Sequence, residues 1–347
     1  MAQAQAKAKN TKKYSKKKHL PLKITSNETW EELHKKEVRT YRNTSANWKQ
    51  QFISKPKEEQ VRLMFKYALE GNKKMLKFLF ENCDVDFTVV DADGNTPLMF
   101  AVKSGSREAV EYVLNHGAEV NYLNNLGITP MHLATRKNSE TLVRVLLEAG
   151  AYVDIEDAYF QTPLFDAVQE NNAQMIKYLY VNEADVNHKN KDGKTPLMVA
   201  SFNRHRQEAM CQLLRLGAEV NVVDNSGRSA FMHAINNNNG AMMDILLKAG
   251  AEINIADQDG YTPIMLCAKR GNREGLRVLI ARGGDIFAKN DYGQSAYDIA
   301  RACNNSTCAE ILAKAERIYK SDVSEKDKQT KLAEFAKQNR MQNSCIR

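Results

Sequence analysis

Thr96–Ala101 reads TPLMFA, and variants of this hexapeptide return as TPMHLA from Thr129, TPLFDA from Thr162, TPLMVA from Thr195, SAFMHA from Ser229, TPIMLC from Thr262 and SAYDIA from Ser295. The steps between copies are 33, 33, 33, 34, 33 and 33 residues, and five of the chain's seven prolines fall in the motif. Self-similarity at a period of this length marks a repeat architecture, in which each unit is one supersecondary element that buries its apolar face only by stacking on the next.

Each position has a physical reason. Thr or Ser accepts the unpaired N–H groups of a helix start, and Pro at the first helical position costs nothing there, because its missing N–H had no partner and its φ is already helical. A helix is therefore expected at every copy. Five residues after the Thr or Ser stands Ala101, Ala134, Ala167, Ala200, Ala234, Cys267 or Ala300, a small side chain where neighbouring helices approach closely. Nine residues after it stands Gly105, Asn138, Asn171, Arg204, Asn238, Gly271 or Asn304, mostly types that tolerate a left-handed helix stop. A second apolar stretch with helical spacing follows, as in ETLVRVLL to Leu147, and usually ends at a Gly such as Gly117, Gly150, Gly217 or Gly250. Segments such as AEVN and AEIN then lead to a Gly two residues before the next Thr, and read as an extended turn or hairpin finger.

These residues resemble the ankyrin family, whose period and signature hexapeptide are among the known repeat signatures. The resemblance covers residues 58–317 and implies an all-α fold: an ankyrin-repeat solenoid of stacked helix pairs with hairpin fingers. Counting back 33 residues from Thr96 places Leu63 at the Thr position and Ala68 at the small position, followed by Asn72, so residues 58–82 read as a degenerate N-terminal cap. Three departures stand out. Glu183 replaces the Gly that ends a second helix, one extra residue lies near Arg204–Glu208, and Tyr159-Phe160 replaces the Asn/Asp-Gly tip of the third finger.

In ankyrin proteins the partner usually lies against the concave side, made of finger tips and the exposed face of the first helices. Carried onto this chain by count from each Thr, that side takes in Leu126, Ile128, Arg136, Lys137, Tyr159, Phe160 and Phe202. It continues with Arg228, Tyr261, Lys269, Arg270 and Tyr292, and the same count adds Asn95, Lys103, Gln161 and Lys194. Aromatic, aliphatic and basic types dominate, as they do at interface anchors. Phe160, with Tyr159 and Phe202, is expected to touch a partner; the alternative is that Phe160 folds back on the neighbouring finger.

Charge is unevenly placed. Residues 1–57 hold 13 Lys and 2 Arg against 4 Glu, a net +11, whereas residues 58–317 sum to −6 and residues 318–347 to +3. Residues 1–25 read as a basic disordered arm, since a Lys-rich, apolar-poor segment cannot bury enough surface to offset its ordering entropy. Lys12, Lys13, Lys16, Lys17 and Lys18 suit an acidic protein or filament surface, a nuclear import signal or nucleic acid. Residues 26–57 read as a helical linker in which Trp30, Leu33, Val38 and Tyr41 share a face, and Trp48, Phe52 and Ile53 pack on the cap or dock to a partner. Residues 318–347 read as a polar tail, helical or disordered.

Catalysis finds no support. The sequence holds no GxxxxGK[ST], GxGxxG or GxSxG stretch, and His132 and His233 are expected to serve as structural hydrogen-bond partners of helix starts. Six scattered cysteines without a CxxC pair are expected to be reduced thiols, and no histidine joins them in zinc-finger spacing, so neither metal nor cofactor is expected. No run approaches the roughly 18 apolar residues of a membrane span, and the Lys-rich start lacks a secretory apolar stretch. The expectation is a non-enzymatic intracellular scaffold or adaptor, cytoplasmic, with the cytoskeleton and the nucleus as alternative sites. Its repeat stack would grip a protein while its arm lies on an acidic surface such as a microtubule; the competing reading gives the arm to nucleic acid.

Overall fold

The computed structural model describes residues 48–321 and 324–337, so the basic arm, with Lys12, Lys13, Lys16, Lys17 and Lys18, and most of the linker lie outside the described residues. The described residues fall into two compact units divided after Ala151.

The first unit opens with α1 (Trp48–Ile53), followed by α2 (Lys57–Leu69) and α3 (Lys73–Asn82) of the cap repeat. Two full repeats follow, α4 (Pro97–Ser104) with α5 (Arg107–Asn115), and α6 (Pro130–Arg136) with α7 (Glu140–Glu148). First helices α2, α4 and α6 pack in one row and second helices α3, α5 and α7 in another. Helices of two turns are marginal in isolation, so this lateral packing is what stabilises them. Ala101 and Ala134 are wholly buried between first helices, as their size requires.

The cap departs from the period. Counting back puts the helix stop at Asn72, yet the left-handed residue is Gly71 (φ 65°), and Asn72 instead caps α3 by accepting the Met75 N–H at 3.2 Å. With no finger before it, α2 extends toward the N-terminus as far as Lys57, just after Pro56, and Leu63 is a mid-helix core residue rather than a cap. Phe52 of α1 settles its own alternative. It is buried against Tyr67 and Phe78, and the Gln60 Nε2 group donates to the carbonyls of Ile53 and Lys55 at the end of α1.

The second unit repeats the plan with α8 (Pro163–Gln169) and α9 (Ala173–Val181), α10 (Pro196–Ser201) and α11 (Gln207–Arg215), and α12 (Ala230–Asn236) and α13 (Gly240–Lys248). It continues with α14 (Pro263–Arg270) and α15 (Arg273–Ala281), then α16 (Ala296–Ala302) and α17 (Ser306–Tyr319), and closes with α18 (Glu325–Lys337). Ala167, Ala200, Ala234, Cys267 and Ala300 are wholly buried. The second helix of the last repeat, α17, runs two residues past 317, and α18 lies on α15 and α17 with Leu332 buried.

Helix ends follow local chemistry. Asn138, Asn171, Asn238 and Asn304 take positive φ where Gly105 and Gly271 do, and Glu183 (φ 73°) stands in for the usual Gly. Arg204 does not, because the extra residue of the 34-residue step is absorbed there as a 3-10 turn, Arg204–Arg206. That turn leaves α11 without a side-chain cap of its own, and Asn171 of the preceding repeat fills the role by accepting the Ala209 N–H at 2.9 Å. Among the Thr and Ser helix starts, Thr162 and Thr262 depart from expectation: their buried hydroxyls cap nothing.

Candidate partner-binding surface

Every finger is built on an Asp or Asn five residues before the Thr or Ser: Asp91, Asn124, Asp157, Asn190, Asp224, Asp257 and Asn290. The carboxylate or amide Oδ1 accepts the N–H groups two and four residues on, as Asp157 does from Tyr159 (2.8 Å) and Gln161 (2.9 Å). The backbone closes the same turn, the Asp157 N–H donating to Gln161 O at 2.9 Å. Short polar side chains that bond their own backbone two residues on are strong turn formers, and here they are also largely buried. This Asx position stands in all seven copies of the sequence, and its fixed spacing from the Thr or Ser is the signal that marks it.

Successive fingers are then tied together. In the second unit Lys191 N–H donates to Tyr159 O (2.9 Å), Asn225 N–H to Asp192 O (3.0 Å), Gln258 N–H to Ser226 O (3.0 Å) and Asp291 N–H to Asp259 O (3.1 Å). In the first unit Asn125 N–H donates to Asp93 O at 3.0 Å. Side chains at the tips are thus presented on a hydrogen-bonded row rather than on independent loops, which lowers the ordering cost of binding to them.

The third finger breaks the chemistry of the row while keeping its geometry. Gly94, Gly127, Gly193, Gly227, Gly260 and Gly293 occupy the tip with φ between 74° and 78°, and Phe160 occupies it with φ 58°. Positive φ in a bulky residue is a true outlier. Phe160 nonetheless makes the same turn bond, N–H to Asp157 O at 3.0 Å, and its carbonyl lies 3.1 Å from His188 Nε2. Tyr159 and Phe160 stay 60% and 49% exposed.

The other expected residues fall into three groups. Leu126, Arg136, Lys137, Lys269, Arg270 and Tyr292 are exposed, Leu126 and Tyr292 by more than half. Ile128, Phe202, Arg228 and Tyr261 are half-buried and engaged within the chain in three cases: Phe202 lies edge-on to His233 with Lys194 over its ring, Arg228 pairs with the buried Asp257 at 3.0 Å, and Lys269 sits over Tyr261. Asn95 does not belong to a surface: it is buried, donating to Asp91 and accepting from the Asn124 amide at 2.9 Å, so it holds two fingers together. Counting from the Thr gives the direction of a side chain but not whether a neighbouring finger covers it.

His132 is wholly buried and closes a reciprocal cap with Thr129, whose Oγ1 lies 2.9 Å from Nδ1. His233 has a different structural role: its Nε2 meets Asp224 Oδ2 at 2.7 Å, joining α12 to the fifth finger rather than capping a helix start. Burial holds this imidazole below its ordinary pKa against the opposing pull of Asp224. No hydroxyl or thiol is bonded to it among the described residues, so the pair lacks a nucleophile to activate. Among the described residues no cluster of His, Cys, Asp and Glu is arranged to hold a metal, and no helix is long and apolar enough to cross a membrane.

The ankyrin-repeat profile, a unit of three copies, matches four overlapping stretches, residues 63–157, 156–224, 206–290 and 231–327. The chain belongs to the ankyrin-repeat family. Its repeats are similar to the crystal structure of the ankyrin repeat domain of Bcl-3, a member of the IkappaB protein family, at 33% identity and a TM-score of 0.57 over 64% of this chain and 99% of that one. A 59-residue stretch, 17% of this chain, is 41% identical to delta-latroinsectotoxin-Lt1a of Latrodectus tredecimguttatus, but it spans only 5% of that toxin. Ankyrin repeats form a protein–protein interaction module.

Proposed function

We propose that this ankyrin protein is a non-enzymatic scaffold or adaptor within a larger assembly, gripping a protein with its fingers and first helices while its N-terminal arm lies on an acidic surface. The observation that carries the second half is charge: +11 over residues 1–57 against −6 over residues 58–317. A dense run of lysines is attracted to an anionic polymer, whose charge density exceeds that of the chain's own acidic body, and a microtubule in the cytoplasm is such a surface. Cosedimentation with microtubules tests it, comparing the full chain with one in which Lys12, Lys13, Lys16, Lys17 and Lys18 are changed to Gln. Loss of pelleting in the variant is expected; equal pelleting rejects an arm-dependent attachment. If the arm instead retains single-stranded RNA, with affinity falling steeply as salt rises, the nuclear or ribonucleoprotein reading takes its place.

A further inference from the structure

The repeat stack is acidic as a whole, but one part of it is not. Residues 188–206 hold Lys189, Lys191, Lys194, Arg204 and Arg206 against Asp192 alone, a net +4; since residues 58–317 total −6, the remainder carries −10. These cations divide by environment. Arg206 is turned inward, its Nη1 bonded to Val199 O at 3.1 Å, and burial lowers its pKa. Lys189 Nζ rests on Val223 O, and Lys194 lies beside Asp192 and over the Phe202 ring. Lys191 and Arg204 are exposed and hold no side-chain partner among the described residues.

The same place carries the exposed aromatics. The Lys191 N–H is bonded to Tyr159 O, so the tip that presents Tyr159 and Phe160 adjoins the cationic finger directly. Lys194 over Phe202 connects the base of that finger to the end of α10, beyond which Arg204 begins the inserted turn. An apolar knob thus adjoins a basic finger, and a basic turn follows at the far end of the helix that leaves that finger.

We infer that this patch docks a short acidic segment of a partner protein that carries an aliphatic or aromatic residue. The inference rests on the interaction reading above and names the chemistry of one site within it. Carboxylates of the segment would meet Lys191 and Arg204, and its apolar side chain would cover Phe160 and Tyr159; aromatic anchors flanked by complementary charge are the usual makeup of an interface centre. A polyanion fits less well. A nucleic acid strand would carry its charge beyond these few cations onto a repeat stack whose remaining residues sum to −10, whereas a peptide can place two or three carboxylates and stop.

The test is selection of a phage-displayed random dodecapeptide library on the full chain, followed by fluorescence anisotropy of the leading synthetic peptides. Peptides rich in Asp and Glu around an apolar residue are expected. Their affinity should fall at least tenfold with Lys191→Glu plus Arg204→Glu, and at least tenfold with Tyr159→Asp plus Phe160→Gly, both variants keeping the wild-type melting temperature within a few degrees. Selected peptides without an acidic excess, or none selected, or binding unchanged in either variant, would overturn the assignment. Peptides that bind elsewhere on the stack would overturn it while leaving the adaptor reading intact. A random single-stranded RNA decamer whose binding is lost in the same variants would assign the patch to nucleic acid instead. The arm is identical in every variant, so peptides captured by it bind all variants alike and count against the assignment.

Discussion

Fingers three and four of this chain make the same turn from opposite materials. Finger three runs Asp157-Ala158-Tyr159-Phe160-Gln161 and finger four Asn190-Lys191-Asp192-Gly193-Lys194. In each, the first residue accepts the N–H groups two and four positions on, and the fourth takes positive φ, 58° at Phe160 and 76° at Gly193. Glycine therefore lowers the cost of the turn but does not define it. The Asx side chain and the closing backbone bond do that, and they hold even a phenylalanine in a left-handed conformation.

The two fingers differ in the side chain that the next finger sets against the tip. A Cβ on Gly193 would lie 2.3 Å from Asn225 Oδ1 and 2.8 Å from the Asn225 backbone nitrogen. Asn225 is fixed there by its N–H to Asp192 O and its Nδ2 to Lys191 O at 3.1 Å. The corresponding neighbour of finger three is Lys191, an exposed side chain with no partner among the described residues. Gly193→Ala is therefore expected to cost about 3 kcal/mol, the left-handed penalty plus a backbone clash, even though Phe stands at the equivalent place one finger away. Chemical denaturation would read this directly, and a loss under about 1 kcal/mol would show that the two fingers are interchangeable.

Removing the Asx acceptor should separate the fingers in the other direction. Asp157→Ala deletes two hydrogen bonds to a buried carboxylate and leaves Phe160 strained without them, for about 2 kcal/mol; Asn190→Ala deletes two bonds to a neutral amide and leaves a tolerant glycine, for about 1 kcal/mol. Amide exchange at Tyr159 and Gln161 should accelerate in the first variant. If Asn190→Ala proved the more damaging, the turn would be held by something other than its acceptor.

How far the sequence could be read follows the same division between local chemistry and neighbours. Thr or Ser starts, the small residue five positions on and the left-handed Asn or Gly stops are properties of one helix and its contact distance, and they were legible at each copy save the stop at Arg204. Asn95 looked like a surface residue because nothing local reveals that Asn124 of the next finger reaches over to it at 2.9 Å. The register of the cap, with its turn at Gly71 rather than Asn72, escaped because the period presumes a preceding finger that the cap lacks. His233 was expected at a helix start, but its partner is Asp224, nine residues back and on the finger.

That pair puts a buried histidine on the Asx carboxylate of finger five, a contact that Asp157 of finger three lacks. His233 has its pKa lowered from 6.5, because burial outweighs Asp224, while Lys194 and Arg228 add to the lowering. For Asp224 burial alone would raise the pKa, but the N–H groups of Arg228 and Ser226 together with His233 lower it below 3.8. Both groups bind fewer protons folded than unfolded, so stability present above pH 6.5 is lost as pH falls below it, with a further loss below 3.8. Melting temperatures taken from about pH 7.5 to 5 should decline in the wild type and decline less in His233→Gln, which has no imidazole to titrate. Parallel curves would mean that His233 is not titrating over that range.

The smallest expected change in stability comes from the most conspicuous residues. Replacing Tyr159-Phe160 by Asp-Gly relieves a left-handed bulky residue, a gain of about 1–2 kcal/mol. Against this, glycine frees the unfolded chain, a loss of about 0.5–1 kcal/mol. Half-burial of the Phe160 ring accounts for roughly another 1 kcal/mol lost. These terms nearly cancel, so the melting temperature should stay within a few degrees of the wild type even as two aromatic rings are removed. A residue that is strained, half exposed and neutral for folding has no structural reason to replace the glycine of the other fingers, which is why the binding measurement carries the weight. A loss of about 2 kcal/mol or more on making the exchange would place Phe160 among the packing residues of the stack and remove the physical ground for treating it as an anchor.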